Sequence, residues 1–145
     1  NHLRVSAQQH RVTYDAPIDV ESTIKEVADI QQQYTQHPGV RPFGVALIVA
    51  GVNDTKSKLY TSDITGNYFE YIAVAIGEHD EKIKEMLRKE YSKDMNIEEG
   101  IILCFKIFKT VLAEKFDLER FNVAYIKTDS GKLKKLNKED IKKHG

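Results

Sequence analysis

The sequence predicts an α+β fold in which a sheet of antiparallel strands is covered by helices. Three observations predict it. Apolar residues recur at helical spacing in three stretches: Val20, Ile24, Val27 and Tyr34, with Ile30 nearby; Ile83, Leu87 and Tyr91; and Ile97, Ile101, Phe105, Phe108 and Leu112. Between the first two stretches lies a continuous apolar run, Val45-Ala46-Leu47-Ile48-Val49-Ala50, bounded by Gly44 and Gly51 and too short for a typical helix. Polar turns at Asn53–Ser57 and Gly66-Asn67 then separate this run from Leu59–Asp63 and from Tyr68–Ile76, the pattern of a three-strand meander.

In chain order, residues 2–13 read as a helix end with Leu3, Ala7 and His10 on one face, broken by Asp15-Ala16-Pro17. Asp19 suits the N-cap of the next helix, whose Gln31, Gln32 and Gln33 fall on its solvent side and which Pro38 and Gly39 end. The strand at 45–50, apolar throughout, reads as buried on both faces. Gly77 closes the meander. A charged helix follows from Asp80 to Tyr91, with Glu78–Lys82 and Glu85–Lys89 four apart, pairs that contribute about 0.3 kcal/mol each. Asn96 and Glu99 form a capping-box start for a longer helix. Gly100 inside it costs about 1 kcal/mol relative to alanine, which predicts close packing there. Cys104 lies beside the apolar stripe as a small core residue. Phe121–Thr128 reads as a strand that joins the meander, Ser130-Gly131 turns into Leu133–Leu136, and Lys138–His144 is a short helix. The chain reads as one domain, 1–145. Strands buried on both faces need cover on both sides, and one set of helices covers one face, so the chain is expected to be a layer short and to expose an apolar sheet face.

With 22 Lys+Arg against 22 Asp+Glu the formal charge is zero, which argues against a nucleic-acid binder driven by bulk charge. The local excess, Lys127 to Lys143 with Lys132, Lys134, Lys135, Lys138 and Lys142 between, has no aromatic partners for base stacking and reads as a solvated surface. Cys104 is the only cysteine, so no internal disulfide forms, as suits a reducing compartment. The longest apolar run, Phe43–Val52, is far short of the ~20 residues a membrane helix needs, and no signal peptide opens the chain. No membrane and no nucleic acid are therefore expected as partners.

No catalytic constellation stands out. His2 and His10 have no second ligand near in sequence, His37 sits in a turn, His79 at a helix start and His144 near the last residue. There is no His-x-x-x-His or Cys-x-x-Cys spacing, so no zinc site is expected. Asp63 at a strand end reads as a turn former, and no glycine-rich phosphate loop precedes a helix, so no cofactor is expected.

The segment Gln33-Tyr34-Thr35-Gln36-His37-Pro38-Gly39-Val40-Arg41-Pro42-Phe43-Gly44-Val45-Ala46-Leu47 is the most specific part of the chain. Two prolines fix φ and a glycine permits φ > 0, so the turn holds one shape, with Arg41 extended before Pro42. This string resembles the connection from the second helix to the next strand in α-type subunits of the 20S proteasome. Leu59-Tyr60-Thr61-Ser62-Asp63-Ile64-Thr65-Gly66-Asn67-Tyr68 resembles that family's Leu-Tyr-x-x-Asp-Pro-Ser-Gly-x-Tyr segment. Ala75-Ile76-Gly77, Lys89-Glu90-Tyr91, and Leu3-Arg4 with Ala7-Gln8 fall where the family has them. Pro38 stands where glycine is usual, and Ile64-Thr65 replaces Pro-Ser.

The resemblance implies a helix–sheet–sheet–helix sandwich of the amino-terminal-nucleophile hydrolase type, with part of the first sheet preceding Asn1 in the family. It implies a non-catalytic subunit of a threonine-protease complex, with structural and gating work in intracellular protein degradation and the ubiquitin–proteasome pathway. Seven such subunits would form a ring docked on the catalytic β ring. Partners would be other α subunits, β subunits, regulatory cap particles and polypeptides in transit. By the same resemblance His37, Pro38, Gly39, Val40, Arg41, Pro42, Phe43 and Gly44 line the entrance, though Arg41 also has a plainer reading as the partner of a local carboxylate. The location would be cytoplasmic, and nuclear for a eukaryotic source. Two alternatives stay open: an active amino-terminal-nucleophile hydrolase or β-type subunit, which a first-position Thr, Ser or Cys would favour and Asn1 does not, and a free-standing binding module.

Overall fold

The computed structural model describes residues 20–36, 46–62 and 67–145. Over these residues the protein is mixed α+β, with four helices and two small sheets. It divides into two compact units, the first ending at Tyr71 and the second beginning at Ile72.

In the first unit, helix α1 (Val20–Gln36) precedes strands β1 (Leu47–Asn53), β2 (Lys56–Ser62) and β3 (Tyr68–Glu70). β1 and β2 form an antiparallel hairpin whose register runs from Leu47↔Ser62 to Asn53↔Lys56. Its two tip residues, Asp54 and Thr55, both have positive φ, 47° and 66°. That is the type I′ geometry whose twist matches the flanking strands, here without the glycine that usually relieves it. β3 adds antiparallel to β2 with Tyr60↔Glu70 and Ser62↔Tyr68, and Lys58 Nζ reaches Glu70 Oε1 at 3.2 Å across the same pair of strands.

Strand alternation places Leu47, Val49, Gly51, Tyr60, Ser62 and Tyr68 on one face. α1 covers that face. Val20, Ile24 and Tyr60 are buried together, Val49 and Tyr68 pack against them, and the two tyrosine rings meet edge-on at 6.3 Å. The opposite face carries Ile48, Phe69 and Tyr71, which are 41%, 50% and 42% exposed. The strand expected to be buried on both faces is therefore half-buried on one face and exposed on the other, because the described residues supply a helix to one side only. The apolar face expected to lack cover is present.

The third strand is shorter than Tyr68–Ile76. After Glu70 the Tyr71 N–H still bonds the Leu59 carbonyl at 2.9 Å, but Ile72 and Ile76 stand in solvent without a ladder. Val20 and Ile24 are buried as their spacing predicts, and Ala28, buried in the same row, completes the contact stripe. The predicted helix end at 2–13, the Asp19 cap and Asp63 lie outside the described residues.

The second unit is a helical hairpin followed by a small hairpin of strands. α2 (Asp80–Glu90) leads into α3 (Ile97–Leu112), two 3-10 turns (Ala113–Lys115 and Leu118–Arg120), β4 (Ala124–Ile126), β5 (Leu133–Lys135) and α4 (Lys138–His144). The capping box forms as predicted: Glu99 N–H donates to Asn96 Oδ1 at 2.8 Å, and Asn96 N–H donates to Glu99 Oε2 at 3.0 Å. Ile83 of α2 and Leu103 and Ile107 of α3 are buried together, with Met86, Leu87 and Tyr91 packed around them. Lys106 Nζ and Glu90 Oε2, at 2.7 Å, tie the two helices on the outside, and the predicted Glu85–Lys89 pair closes at 2.9 Å. Glu78, predicted to reach Lys82, instead lies 3.5 Å from His79 Nε2.

The α3 stripe is shifted from the expected one. Phe105 is buried, against Phe121 at 5.6 Å, while Phe108 stacks on Phe121 at 5.0 Å and stays half-buried. Ile101 and Leu112 are half-buried, Ile97 and Cys104 are exposed, and Leu103 and Ile107, absent from the expected stripe, are among the most enclosed residues. The apolar arc of this helix is wider than one stripe. α2 takes the side bearing Leu103 and Ile107, and Phe121 takes the side bearing Phe105. Gly100 does not mark close packing, since no atom lies within 4 Å of where its Cβ would stand.

β4 and β5 pair with each other, Ala124↔Lys135 to Ile126↔Leu133, as a separate two-stranded sheet. The expected pairing of 121–128 with the meander is thus replaced among the described residues by a local hairpin, and both strands are shorter than predicted. α4 matches its predicted span and buries Ile141. Two of its lysines, Lys138 and Lys142, converge on Glu119 at 2.8 and 3.3 Å. Their hydrogen bonds and charge hold the Glu119 carboxyl below the usual carboxylate range. Part of the lysine-rich stretch is therefore a clasp rather than free surface charge.

Candidate functional site

The eight residues singled out by sequence, His37 to Gly44, lie outside the described residues. The structure describes the frame from which they spring: the end of α1 at Gln36 and the start of β1 at Leu47.

Three contacts define that frame. At Gly51 of β1 a Cβ would stand 2.5 Å from Val20 Cγ2, so the first turn of α1 lies directly on the strand backbone where only glycine fits. The side chain of Asn53, turned so that both amide ends are satisfied, accepts the Val20 N–H at 3.1 Å and donates to the Val52 carbonyl at 3.3 Å. It thereby occupies one of the donors that a helix start leaves unpaired, from a strand far along the chain. One helical turn on, Ile24 is buried in one cluster with Val20 and Tyr60, against which Val49 and Tyr68 pack.

Ala28 is buried next in the row. The residues named as the site follow the end of this helix, whose other end is fixed to the sheet. Neither Gly51 nor Asn53 was singled out by sequence. A glycine inside an apolar strand run was the available sign of a close approach, whereas Asn53 read only as a turn residue.

The other candidates stay apart from one another. His79 is the residue before α2, with φ 64°, beside Glu78. His144 sits on α4, Nδ1 2.7 Å from the Asp140 carbonyl oxygen and Nε2 3.7 Å from Glu98 Oε1. Cys104 is exposed as a residue, yet partial burial of its sulfur pushes the thiol's pKa up. Among the described residues no group of three His, Cys, Asp or Glu is arranged to hold a metal ion, and no helix is long and apolar enough to cross a membrane.

A family model described as proteasome subunit matches residues 1–126. The chain is 41% identical over 142 residues to the proteasome subunit alpha of Saccharolobus solfataricus, an alignment covering 97% of this chain and 59% of the relative. The same identity and coverage relate it to the proteasome subunit alpha of Saccharolobus islandicus, and 41% over 143 residues to that of Sulfolobus acidocaldarius. The chain spans about 59% of the length of these curated relatives. A helix laid on an antiparallel meander, a helical hairpin after it, and a family match over most of the sequence lead to one conclusion: the chain belongs to the proteasome subunit family.

Proposed function

We propose that the chain is the carboxy-terminal part of an α-type subunit of a 20S proteasome, with structural and gating work and no catalytic centre of its own. The observation that carries this reading is the 41% identity to proteasome alpha subunits over 97% of the chain. In this reading residues 1–145 belong to one subunit domain of the helix–sheet–sheet–helix type. The exposed Ile48–Phe69 face is then the inner side of the sandwich, waiting for a second sheet. Neighbouring α subunits, the β ring and regulatory caps are the partners. The turn His37–Gly44 lines the substrate entrance, where fixed proline torsions keep the opening narrow enough to exclude folded proteins. The location is cytoplasmic. The relatives are archaeal, so they lend nothing to a nuclear location or a ubiquitin-dependent route.

The test uses particles assembled from the full-length subunit and β subunits, with the amino-terminal tails of the α ring deleted. Replacing Pro38 and Pro42 together by glycine is expected to raise hydrolysis of a loosely folded protein substrate and to leave short-peptide hydrolysis unchanged. An intact particle whose protein hydrolysis does not move would remove this turn from the entrance. The purified α chain alone is expected to hydrolyse no fluorogenic peptide; activity there would favour the hydrolase alternative.

A further inference from the structure

We infer that the outer edge of β5, with Lys127, Lys132 and Lys134 to one side and Leu133 to the other, docks an extended polypeptide segment in which carboxylates alternate with apolar residues. This surface belongs to the second unit alone and does not depend on the entrance turn.

Charge is the first observation. The lysines of α4 are paired, Lys138 and Lys142 with Glu119 and Lys143 with Asp140 at 3.9 Å. Those of the hairpin are not: among the described residues no carboxylate lies within ion-pair distance of Lys127, Lys132, Lys134 or Lys135. The hairpin's own carboxylate, Asp129, sits in its turn. The register gives these charges a side. Tyr125 stands opposite Lys134 and Ile126 opposite Leu133, and cross-strand partners share a face. Alternation carried one residue past each strand puts Lys127 and Lys132 on the face of Lys134, and leaves Leu133, 60% exposed, on the other. Like charges facing one another across a hairpin repel, so a carboxylate brought between them is favoured.

The edge is the second observation. β4 and β5 make a two-stranded sheet, so β5 has one edge of backbone N–H and C=O groups with no strand beside it among the described residues, and all three of its residues are exposed. Such an edge takes up an extended segment by adding it as a strand. Lysines on an edge turn apolar strands away. They admit a strand whose carboxylates recur at every second residue, about 6.8 Å apart, the spacing at which Lys132 and Lys134 follow one another. On its other side the same segment lays apolar residues against Leu133. A nucleic acid fits less well, because Tyr125 is half-buried and the hairpin has no exposed aromatic ring on which a base could stack.

Fluorescence anisotropy with the full-length subunit tests this. The probes are a labelled peptide of alternating glutamate and valine, and a second of the same composition with its glutamates in one block. The alternating peptide is expected to bind, less tightly as salt rises, and the block peptide to bind more weakly. Lys127→Ala/Lys132→Ala/Lys134→Ala is expected to weaken binding about tenfold, each exposed ion pair contributing a modest share. All three lysines are exposed, and circular dichroism checks that the variant is folded. Lys132→Glu/Lys134→Glu is expected to lose this peptide and to gain its lysine–valine counterpart, which general damage could not produce. Equal binding of the two glutamate peptides would reduce the surface to bulk charge and overturn strand docking. No binding, or an unchanged affinity in the triple-alanine variant, overturns the site. Tighter binding of a single-stranded oligonucleotide of equal charge overturns the polypeptide as its occupant.

Discussion

The same substitution at two glycines is expected to have opposite effects on stability. Gly100 is in the first turn of α3, where its N–H already bonds the Asn96 carbonyl, and no neighbouring side chain or other element lies within 4 Å of where its Cβ would stand. Alanine there adds no clash and removes the backbone freedom that glycine must lose on folding, so Gly100→Ala is expected to stabilise by about 1 kcal/mol. Gly51 lies in β1 with Val20 Cγ2 2.5 Å and Val20 Cβ 3.8 Å from the same position. Overpacking against a buried, β-branched neighbour costs about 1–3 kcal/mol, more than the entropic gain from replacing glycine. Urea titration followed by far-UV circular dichroism reads both. With a slope near ~2 kcal/mol per molar, the midpoint should rise by about 0.5 M for Gly100→Ala and fall by about 0.5–1.5 M for Gly51→Ala. A lowered midpoint for Gly100→Ala would mean that this face of α3 is covered, contrary to its geometry here. An unchanged midpoint for Gly51→Ala would mean that α1 is free to lift off the strand.

Three more outcomes follow from other contacts. Phe105→Ala should cost about 3–5 kcal/mol, because the ring is 3% exposed and meets Phe121 at 5.6 Å; a loss below about 1 kcal/mol in the same titration would show that the aromatic cluster is not a core. Thr55→Gly should raise the melting temperature by about 2–4 °C, since Thr55 holds φ 66° at the hairpin tip and a β-branched residue is strained there; a lower melting temperature would mean that the turn is not type I′. The Glu119 carboxyl is held low by Lys138 first and then Lys142, so its contribution to the α4 clasp is present above its unfolded pKa and is lost as pH falls through the depressed folded value. Hydrogen exchange of the α4 amides should therefore lose protection at acid pH in the native chain and show a smaller pH dependence in Glu119→Gln; equal dependence in both would assign the acid sensitivity elsewhere.

Local features were legible from sequence where a few neighbouring residues decide them. The Asn96/Glu99 capping box is complete within four residues and formed as read. The same holds for the Glu85–Lys89 pair, the span of α4, and the hairpin between the strands flanking Asp54-Thr55. The family was legible too, because 41% identity is carried by residue order alone.

Sequence by itself determined which elements exist and which of their sides are apolar. Tertiary structure decided how far each strand runs, which strand pairs with which, and which part of a wide apolar arc is enclosed. Periodicity marks a face but not the element that will cover it. On α3 it indicated Ile97 and Ile101, whereas Leu103 and Ile107 became the buried pair because α2 approaches from their side. It made 45–50 apolar throughout, yet with α1 on one face only, Ile48 remains in solvent. The hold on α1 was out of reach for the same reason. Val20, Gly51 and Asn53 are distant in sequence, and a hydrogen bond between a strand side chain and a helix start exists only once the chain has brought the two together.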